Sequence, residues 1–344
     1  MKTFQRILIT RLRFIGDVVL TTPVIRAVRR KFPNSYIAYL ADKNAITLLE
    51  NNPYLDELIP FDFGWTLKEQ ISFIKEIRRK KFDLVIDLFG NPRSAILSFL
   101  SGGKVRIGGA FGWRKFLYTH PIPRTNEQKN AIKFHIDYLK PIGIEVNDDF
   151  ETEIFLTDEE RNWAKNYLKS KGVDLGKKII GIHPGATWPA KMWLKENFAK
   201  LADKIVTKIG ADVIITHSEK ETDLAIEVFN LTLKRNIFIL DSLNLRQLAS
   251  VLSLLDLYIS NDCGPMHIAV AVGTKTIGLF GPGEEDIWFP YPESKGHKAL
   301  RVDVECHPCH LDFCNREGED YMKCMKLLTV DMVFNEVAKI IKRG

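Results

Sequence analysis

A Gly-Asp pair after the first apolar run of this 344-residue chain is the first place where chemistry could occur. Residues Arg6–Thr10 are short, apolar and β-branched, which predicts a strand, and Gly16 allows a tight turn into the helix that follows. Asp17 would then lie at the helix N-terminus. It could cap free N–H groups there, or it could act as a base that takes a proton from a substrate hydroxyl. The pair taken alone favours the cap.

A second loop combines a glycine, a hydroxyl and a cation after a predicted strand. The loop contains Gly185 and Thr187, and Lys191 follows. Backbone N–H groups and a hydroxyl suit a phosphate, and a fixed cation would stabilise the charge that a leaving diphosphate gathers in the transition state. A solvated surface lysine is the alternative. The spacing is not that of a Walker motif, which disfavours phosphoryl transfer from a nucleoside triphosphate.

The third segment, Ser260–His267, follows a predicted strand and opens an apolar stretch. The backbone amides of Asp262, Cys263 and Gly264 would lie at a helix N-terminus, which favours a diphosphate. The side chains of Asp262 and His267 could bind ribose, phosphate or sugar. Asp262 could instead cap the helix, and His267 could be a structural histidine. The octapeptide is specific enough to favour ligand binding.

Both halves of the chain alternate short apolar strands with amphipathic helices, which is typical of parallel sheets. Strands are predicted at 6–10, 36–40, 84–88, 178–183, 212–216, 237–240, 257–260 and 276–280, and helices at 18–32, 65–81, 194–208 and 330–342. The pattern predicts an α/β chain with two Rossmann-like, doubly wound domains that face each other across a cleft. We place the first domain at 1–160, the second at 161–330 and a C-terminal helix at 331–344. Ligands bind such sheets outside the carboxyl ends of the strands.

The net charge of +6 is unevenly distributed along the chain. Residues 1–150 carry 24 Lys and Arg against 15 Asp and Glu, whereas residues 151–344 carry 25 against 28. The first half should therefore bind something anionic, such as a phosphorylated substrate, a nucleic acid or an anionic membrane surface. No run of 18 apolar residues occurs and the first residues do not resemble a secretory leader, so we expect a cytoplasmic protein.

Three long segments together resemble the ADP-heptose:lipopolysaccharide heptosyltransferases of glycosyltransferase family 9. They are RILITRLRFIGDVVLTTPVIRAVRRKFP, HPGATWPAKMWLKENFAKLA and SNDCGPMHIAVAVGTKTIGLFGP, and the resemblance spans almost the whole chain. It implies the GT-B fold, with two Rossmann-like domains. It also implies an enzyme that moves heptose from ADP-heptose to the inner core of lipopolysaccharide.

The resemblance assigns roles to individual residues. The resemblance implies that Asp17 is the catalytic base and that Lys191 binds the donor phosphates. The full set of donor-binding residues that it implies is Thr187, Lys191, Glu219, Leu243, Asp262, Cys263, Gly264 and His267. Glu219 would bind the ribose, with Glu221 as an alternative alignment, and Leu243 would pack on the adenine. Relatives often carry Thr where this chain has Cys263, so a hydroxyl contact would be weakened there.

The implied reaction is an inverting displacement that needs no metal. An acceptor hydroxyl deprotonated by Asp17 attacks the anomeric carbon while ADP leaves. The implied acceptor is anionic and lipid-anchored, and Arg106, Arg114 and Lys115 in a Gly-rich stretch could bind its charged groups. Peripheral association with the inner face of the cytoplasmic membrane would follow, without insertion.

Four of the five cysteines lie within 19 residues, and a Cys-x-x-Cys pair opens the group. They are Cys306, Cys309, Cys314 and Cys324. Such a group would suit a structural zinc site, but a second Cys-x-x-Cys pair is missing. We expect a structural role and leave metal and disulfide open. No metal is expected for catalysis.

Three other functions compete with this interpretation. One is a sugar-nucleotide epimerase or oxidoreductase, but no G-x-G-x-x-G follows the first strand. Another is a transferase that acts on a different NDP-sugar, which the motifs do not separate from the first. A nucleic-acid binder is disfavoured, because no basic motif with interleaved aromatic residues is present.

Overall fold

The computed structural model describes residues 3–123, 129–148, 150–233 and 235–342. The chain divides into two compact units, Met1–Phe155 and Leu156–Gly344. Within the described residues, each unit contains one six-stranded sheet in which all strand pairs are parallel. The α/β class expected from the sequence is confirmed.

The first unit begins with the strand that the apolar run predicted. Its strands are β1 (Arg6–Thr10), β2 (Tyr36–Asp42), β3 (Glu57–Phe61), β4 (Leu84–Asp87), β5 (Val105–Gly109) and β6 (His120–Ile122). Its helices are α1 (Ile15–Leu20), α2 (Thr22–Lys31), α3 (Leu67–Arg79), α4 (Pro92–Leu100) and α5 (Ala131–Ile136), and short 3₁₀ helices cover Ala45–Leu49, Gly112–Leu117 and Asp137–Ile142.

The helix expected at 18–32 is two helices, because the chain turns at Thr21. The Thr21 hydroxyl donates to the Val18 carbonyl at 2.7 Å and lies 2.6 Å from the Tyr39 hydroxyl, so it ends α1 inside the core. Pro23 lies in the first turn of α2, where a missing N–H has no cost.

The first sheet has the strand order β3-β2-β1-β4-β5-β6. The order reverses between β1 and β4, which are paired from Ile7↔Leu84 to Thr10↔Asp87. Crossover connections leave this point in opposite directions, so the loops after β1 and β4 separate and form a crevice at the carboxyl edge of the sheet. Ligands of doubly wound sheets bind at such a switch point.

The second unit repeats this plan. Its strands are β7 (Ile179–His183), β8 (Asp212–Ile215), β9 (Ile237–Ile239), β10 (Leu257–Asn261), β11 (Thr276–Leu279) and β12 (Lys298–Leu300). Its helices are α6 (Asp158–Ser170), α7 (Lys195–Ile209), α8 (Thr222–Leu231), α9 (Leu245–Leu252), α10 (Gly264–Ala271), α11 (Glu285–Trp288), α12 (Lys323–Lys326) and α13 (Val330–Lys342), and short 3₁₀ helices cover Pro189–Lys191, Glu219–Glu221, Glu293–Lys295 and Gly318–Asp320.

The second sheet has the order β12-β11-β10-β7-β8-β9, so its switch point lies between β7 and β10. One face of the sheet packs against α7 and α13, and α13 contributes Val333, Val337 and Ile340 to this core. The C-terminal helix therefore packs as part of the second unit. Helix α6, which straddles the division drawn from the sequence at 160, packs on α9 of the same unit.

Among the described residues, none of the helices has the length and apolar composition needed to cross a lipid bilayer.

Candidate active site

Asp17 lies at the switch point of the first sheet, in the first turn of α1. Its carboxylate forms an ion pair with Arg11, and its Oδ2 also accepts the backbone N–H of Phe14 at 3.3 Å. Arg11 is fixed in turn, because it donates to the Leu88 carbonyl at 3.1 Å and lies over the ring of Phe89. Asp17 is therefore not the N-cap expected from the sequence: Phe14 is the N-cap, and Asp17 is the third residue of α1, with its carboxylate held in one orientation. The sequence did not single out Arg11, which binds the loops after β1 and β4 together.

Asp87 shapes the loop after β4 behind this pair. It is fully buried and accepts the backbone N–H groups of Phe89 and Gly90, both at 3.0 Å, and the hydroxyl of Tyr118 at 2.7 Å. Burial raises the pKa of Asp87, whereas these hydrogen bonds act in the opposite direction. Asp87 therefore orders the loop that contains Leu88, whose carbonyl accepts a hydrogen bond from Arg11.

In the second unit, Asn261 ties the loops at the switch point together. Its side-chain amide donates to the carbonyls of Pro184 and Gly185 at 2.8 and 3.2 Å, and its Oδ1 accepts the Trp193 N–H at 3.0 Å. Asn261 ends β10, and Pro184 follows β7 directly. One buried amide therefore sets the distance between the two loops that the sequence had marked as phosphate-binding.

Lys191 and Asp262 meet in this crevice. Lys191 Nζ lies 2.6 Å from Asp262 Oδ2 and 4.6 Å from the centre of the Trp188 ring. Burial raises the pKa of Asp262, and the Lys191 charge partly offsets that rise. Gly283, in the loop after β11, packs against the same carboxylate: a Cβ there would lie 2.8 Å from Asp262 Oδ2. Only glycine lets this loop approach so closely.

His267 lies one turn into α10 and is 5% exposed. Its Nδ1 is 2.7 Å from the hydroxyl of Tyr291. Burial lowers the pKa of His267 to about 3, and the nearby Lys191 charge adds to that effect. The imidazole is therefore neutral at pH 7 and offers one donor and one acceptor. Tyr291, 24 residues further on, was not predicted from the sequence.

The two candidate ribose carboxylates differ sharply in position. Glu219 is exposed on the short 3₁₀ helix after β8. Glu221 is 17% exposed; its Oε2 accepts from the Ser218 N–H at 2.9 Å and lies 3.6 Å from His183 Nε2. A Cβ at Gly185 would lie 2.2 Å from the Glu221 carboxyl group, so this glycine admits the carboxylate to the loop after β7.

Burial raises the pKa of Glu221, but its interactions with His183 and Ser218 outweigh that effect, so its pKa lies below the ordinary value. Glu221 is thus an ionised carboxylate in the crevice. Of the two candidates, Glu221 lies against the loop after β7 and Glu219 is exposed, and the ribose role of either residue stays a prediction. The spacing Ser218-x-x-Glu221 is that of a capping box and could have identified it from the sequence.

The remaining donor residues lie along the same edge. Thr187 is exposed on the loop after β7, and Leu243 is half-buried in the loop after β9. Cys263 is the N-cap residue of α10 and Gly264 its first residue. Burial raises the pKa of Cys263 to about 12, so it is a thiol and not a thiolate at pH 7. Its Sγ lies 3.2 Å from the Ser260 hydroxyl.

The three basic residues assigned to the acceptor have different surroundings. Arg106 is engaged by its own unit: it donates to the carbonyls of Leu117 at 2.8 Å and Gly103 at 2.6 Å. Arg114 lies over the ring of Phe111. Lys115 is exposed. The contacts of Arg106 give it a structural task at the amino end of β5.

The cysteine group lies in the second unit. All five cysteines are free, and Cys306, Cys309, Cys314 and Cys324 are each partly buried. The Cys314 sulfur accepts the Met322 N–H at 3.2 Å, and burial together with the other three thiols raises the pKa of Cys324 to about 11. Within the part of the chain that the structure describes, no three His, Cys, Asp or Glu side chains are placed to hold a metal ion together.

Each unit carries a doubly wound sheet with loops at its switch point, and the chain has the GT-B fold of the solved heptosyltransferase structures that it resembles. The chain belongs to glycosyltransferase family 9 (heptosyltransferase), whose family model matches residues 70–318. It is 28% identical over 301 residues to lipopolysaccharide heptosyltransferase 3 of Escherichia coli, an alignment that covers 82% of this chain and 84% of the relative.

Solved structures share the fold over almost the full length. The glycosyl transferase family 9 protein of Veillonella parvula superposes with a TM-score of 0.86 at 24% identity, covering 99% of this chain and 98% of that protein. The E. coli heptosyltransferase WaaC, solved with ADP-2-deoxy-2-fluoro heptose, has a TM-score of 0.73 at 18% identity and covers 97% and 99% of the two chains. The family membership excludes the epimerase and oxidoreductase interpretations of the sequence.

Proposed function

We propose that this protein transfers heptose from ADP-heptose to the inner core of lipopolysaccharide, with inversion at the anomeric carbon and without a catalytic metal. The observation that carries the proposal is the group formed by partly exposed Lys191 and buried Asp262 and His267 at the switch point of the second sheet. The ammonium group of Lys191 and the imidazole of His267 can donate hydrogen bonds to a diphosphate. Relatives support both substrates: one is a lipopolysaccharide heptosyltransferase, and WaaC was solved with ADP-2-deoxy-2-fluoro heptose.

The donor would be held by the second unit. Lys191 would turn from Asp262 toward the diphosphate, and the N-terminal amides of α10 would bind the same oxygens. Neutral His267 would donate one hydrogen bond without adding charge. Glu221 would accept the ribose hydroxyls, since its Oε1 is left over by the contacts with Ser218 that use Oε2. Leu243 would pack on the adenine, and Thr187 would add a hydroxyl.

The first unit would supply the base. As the acceptor oxygen attacks the anomeric carbon, Asp17 takes the proton of that hydroxyl, and the bond from the anomeric carbon to the diphosphate breaks with its electron pair on ADP. Arg11 keeps the carboxylate in place throughout, because it is itself held by the Leu88 carbonyl. A single displacement of this kind inverts the configuration of the sugar.

The charge that develops on the leaving diphosphate would be stabilised by Lys191 and by the N-terminus of α10. Lys191 and the N-terminus of α10 would stabilise the charge that a divalent ion stabilises in other transferases. The transfer rate should therefore be the same in excess EDTA as in added Mg²⁺. A strict requirement for a divalent ion would contradict this part of the proposal.

An exposed aromatic surface on the first unit supports peripheral membrane association. It is formed by Phe99 of α4 with Trp113 and Phe116 of the adjacent 3₁₀ helix, and Phe116 is 76% exposed. Lys115 lies beside them, and residues 88–126 contain six Lys and Arg but no Asp or Glu. Aromatic rings flanked by cations suit the headgroup region of an anionic membrane, here the inner face of the cytoplasmic membrane.

Vesicle flotation tests this surface. The protein should float with phosphatidylglycerol vesicles and not with phosphatidylcholine vesicles, and Trp113→Ser with Phe116→Ser should abolish flotation. Leu233→Ser is the matched control, because Leu233 is 86% exposed in the second unit. Equal flotation of the double variant and the control would contradict the assignment.

The transfer itself is tested by mass spectrometry. ADP-heptose is incubated with the protein and a panel of truncated core acceptors, and UDP- and GDP-sugars are tried as donors in parallel. The proposal expects one heptose added to at least one acceptor, from the ADP-sugar only. Transfer from another nucleotide sugar in place of ADP-heptose would show that the protein is a transferase of a different donor.

A further inference from the structure

Tyr291 brings a buried hydroxyl to a residue of the proposed diphosphate site. The hydroxyl lies 2.7 Å from His267 Nδ1, and Tyr291 is 9% exposed. The residue belongs to the segment after α11, which the sequence did not connect with ligand binding. A buried tyrosine hydroxyl normally has a hydrogen-bond partner, and here that partner is an imidazole of the site.

The ring of Tyr291 is held on two sides. Its centre lies 5.1 Å from that of the Phe289 ring at an angle of 85°, and 5.8 Å from that of the His297 ring at 54°. Phe289 packs in turn against β11, because a Cβ at Gly278 would lie 3.0 Å from its ring. The Tyr291 hydroxyl therefore cannot turn away from His267 unless these rings repack.

The chemistry of the two groups decides which of them donates the hydrogen bond. Burial lowers the pKa of His267 to about 3, so at pH 7 one ring nitrogen carries a proton and the other carries a lone pair. A phenol O–H is a stronger acid than the N–H of neutral imidazole, and an imidazole nitrogen is a stronger base than a phenol oxygen. The hydroxyl of Tyr291 therefore donates to Nδ1, and the proton of His267 lies on Nε2.

The second nitrogen of His267 is available to a ligand. Within the described residues Nε2 makes no hydrogen bond, yet it is not sealed from solvent as the unpaired Nδ1 atoms of His135 and His297 are. The Lys191 charge contributes to the low pKa of His267, so the ring lies near the cation that would bind the diphosphate. Because the two nitrogens of an imidazole point in different directions, Nε2 points away from Tyr291.

The tautomer decides whether His267 attracts or repels a diphosphate. With the proton on Nε2, the ring donates a hydrogen bond to a phosphate oxygen. With the proton on Nδ1, Nε2 would present a lone pair to the anion. Both tautomers are neutral, so the burial that suppresses the imidazolium form does not choose between them. The hydrogen bond to Nδ1 does choose.

We infer that Tyr291 is a positioning residue, which fixes His267 in the tautomer with the proton on Nε2 and so makes this nitrogen a hydrogen-bond donor for the diphosphate of ADP. The inference rests on the proposed function, because that function places the diphosphate beside His267. Tyr291 itself would not touch the ligand. Its loss should change the tautomer of His267 and, through the tautomer, the affinity for ADP.

Histidine NMR of the full chain measures the tautomer without turnover. Protein labelled with ¹⁵N in its eight histidines is compared at pH 7 with Tyr291→Phe, which removes the hydroxyl and keeps the ring. The His267 signals are assigned by their absence from His267→Gln. In the wild type, only Nε2 should carry the proton, and in Tyr291→Phe both nitrogen shifts should move toward the average of two exchanging tautomers. A wild-type proton on Nδ1, or an unchanged tautomer in Tyr291→Phe, would overturn the inference.

ADP titration tests whether the tautomer matters for binding. Tyr291→Phe should weaken ADP binding about three- to ten-fold, which is the size of one hydrogen bond. Tyr36→Phe is the matched control, since Tyr36 donates its hydroxyl to Glu57 in the first unit and the variant also keeps its ring. A hydroxyl with a merely structural role would change stability but not ADP affinity. Equal ADP affinity in Tyr291→Phe and the control would therefore contradict the positioning role.

A double variant shows whether Tyr291 acts through His267. Adding Tyr291→Phe to His267→Gln should weaken ADP binding no further than His267→Gln alone, because the imidazole that Tyr291 orients is already gone. If the second substitution costs as much affinity as it does in the wild type, Tyr291 acts independently of His267 and the inference is wrong.

Heptose transfer separates this inference from the proposed function. If heptose is transferred and Tyr291→Phe changes both the tautomer and the ADP affinity, both stand. If heptose is transferred but Tyr291→Phe changes neither, the role of Tyr291 is wrong. If no heptose is transferred although Tyr291→Phe mixes the tautomers and weakens ADP binding, the proposed function is wrong and the role of Tyr291 stands.

Discussion

Lys191 Nζ lies 2.6 Å from Asp262 Oδ2, so a cation that follows the loop after β7 is held by a buried carboxylate that follows β10. The pair spans the switch point of the second sheet. It keeps Lys191 at the mouth of the crevice, and it gives the buried charge of Asp262 a partner.

Removing Lys191 should affect both donor binding and stability. Lys191→Ala should weaken ADP binding about 10- to 100-fold through the lost charged contact. It should also lower the free energy of unfolding by about 1–3 kcal/mol, because Asp262 stays buried without its partner. Calorimetric titration and urea unfolding measure the two effects.

The pH dependence of that stability loss has a definite sign. Burial already raises the pKa of Asp262, and without Lys191 the offset is lost. The folded state then binds the proton more readily than the unfolded state, so stability should recover as the pH falls. Lys195→Ala is the control, since Lys195 pairs with Glu227 at the surface. A loss no larger than that of the control would contradict the role of the pair.

The two neighbouring glutamates form a matched pair for the ribose contact. Glu221→Gln should weaken ADP binding about ten-fold, because an ionised acceptor of two hydroxyls is lost. Glu219→Gln should leave the affinity unchanged, since its side chain is exposed outside the crevice. Titration of both variants with ADP shows which glutamate contributes to binding. If Glu219→Gln weakens ADP binding and Glu221→Gln does not, Glu219 is the residue that binds the ribose.

His267 should make the protein sensitive to acid. Its pKa in the folded state is about 3, below the usual value of 6.5, so the unfolded state binds the proton first as the pH falls. The His267 contribution is therefore fully present above pH 6.5 and is lost as the pH falls toward 3, at about 1.4 kcal/mol per pH unit.

Urea unfolding between pH 7 and pH 4.5 measures this loss. His267→Gln should reduce the slope of the unfolding free energy against pH by the equivalent of one proton. His120→Gln serves as the control, because His120 is only partly buried in the first unit. A slope that does not change in His267→Gln would show that the imidazole is not protected from protonation.

Much of the fold was accessible from the sequence. Apolar, β-branched runs such as Arg6–Thr10 and Ile179–His183 predicted the central strands, because strands buried on both faces must be continuously hydrophobic. Four strands were missed. Strand β3 was missed because Pro60 interrupts its pattern, β5 because it lies in a Gly-rich stretch, and β6 and β12 because three residues are too few to show a period. These strands lie toward or at sheet edges, where the pattern is weakest.

The site was predictable where one loop carries the chemistry and not where distant loops meet. Asp262 and His267 could be identified because they lie within one octapeptide. The partners that orient them could not, because Gly283 and Tyr291 come from segments whose approach depends on the strand order. Arg11 was missed for the same reason: its task is visible only once β4 is known to lie beside β1.

The central claim is that proton abstraction and donor binding belong to different units of the chain. The most direct test is to measure heptose transfer and ADP affinity on the same preparation of Asp17→Asn. The account predicts a transfer rate lowered about 10²- to 10⁴-fold, as expected for loss of a general base, with an unchanged dissociation constant for ADP. An Asp17→Asn protein that transfers heptose at the wild-type rate would contradict the account.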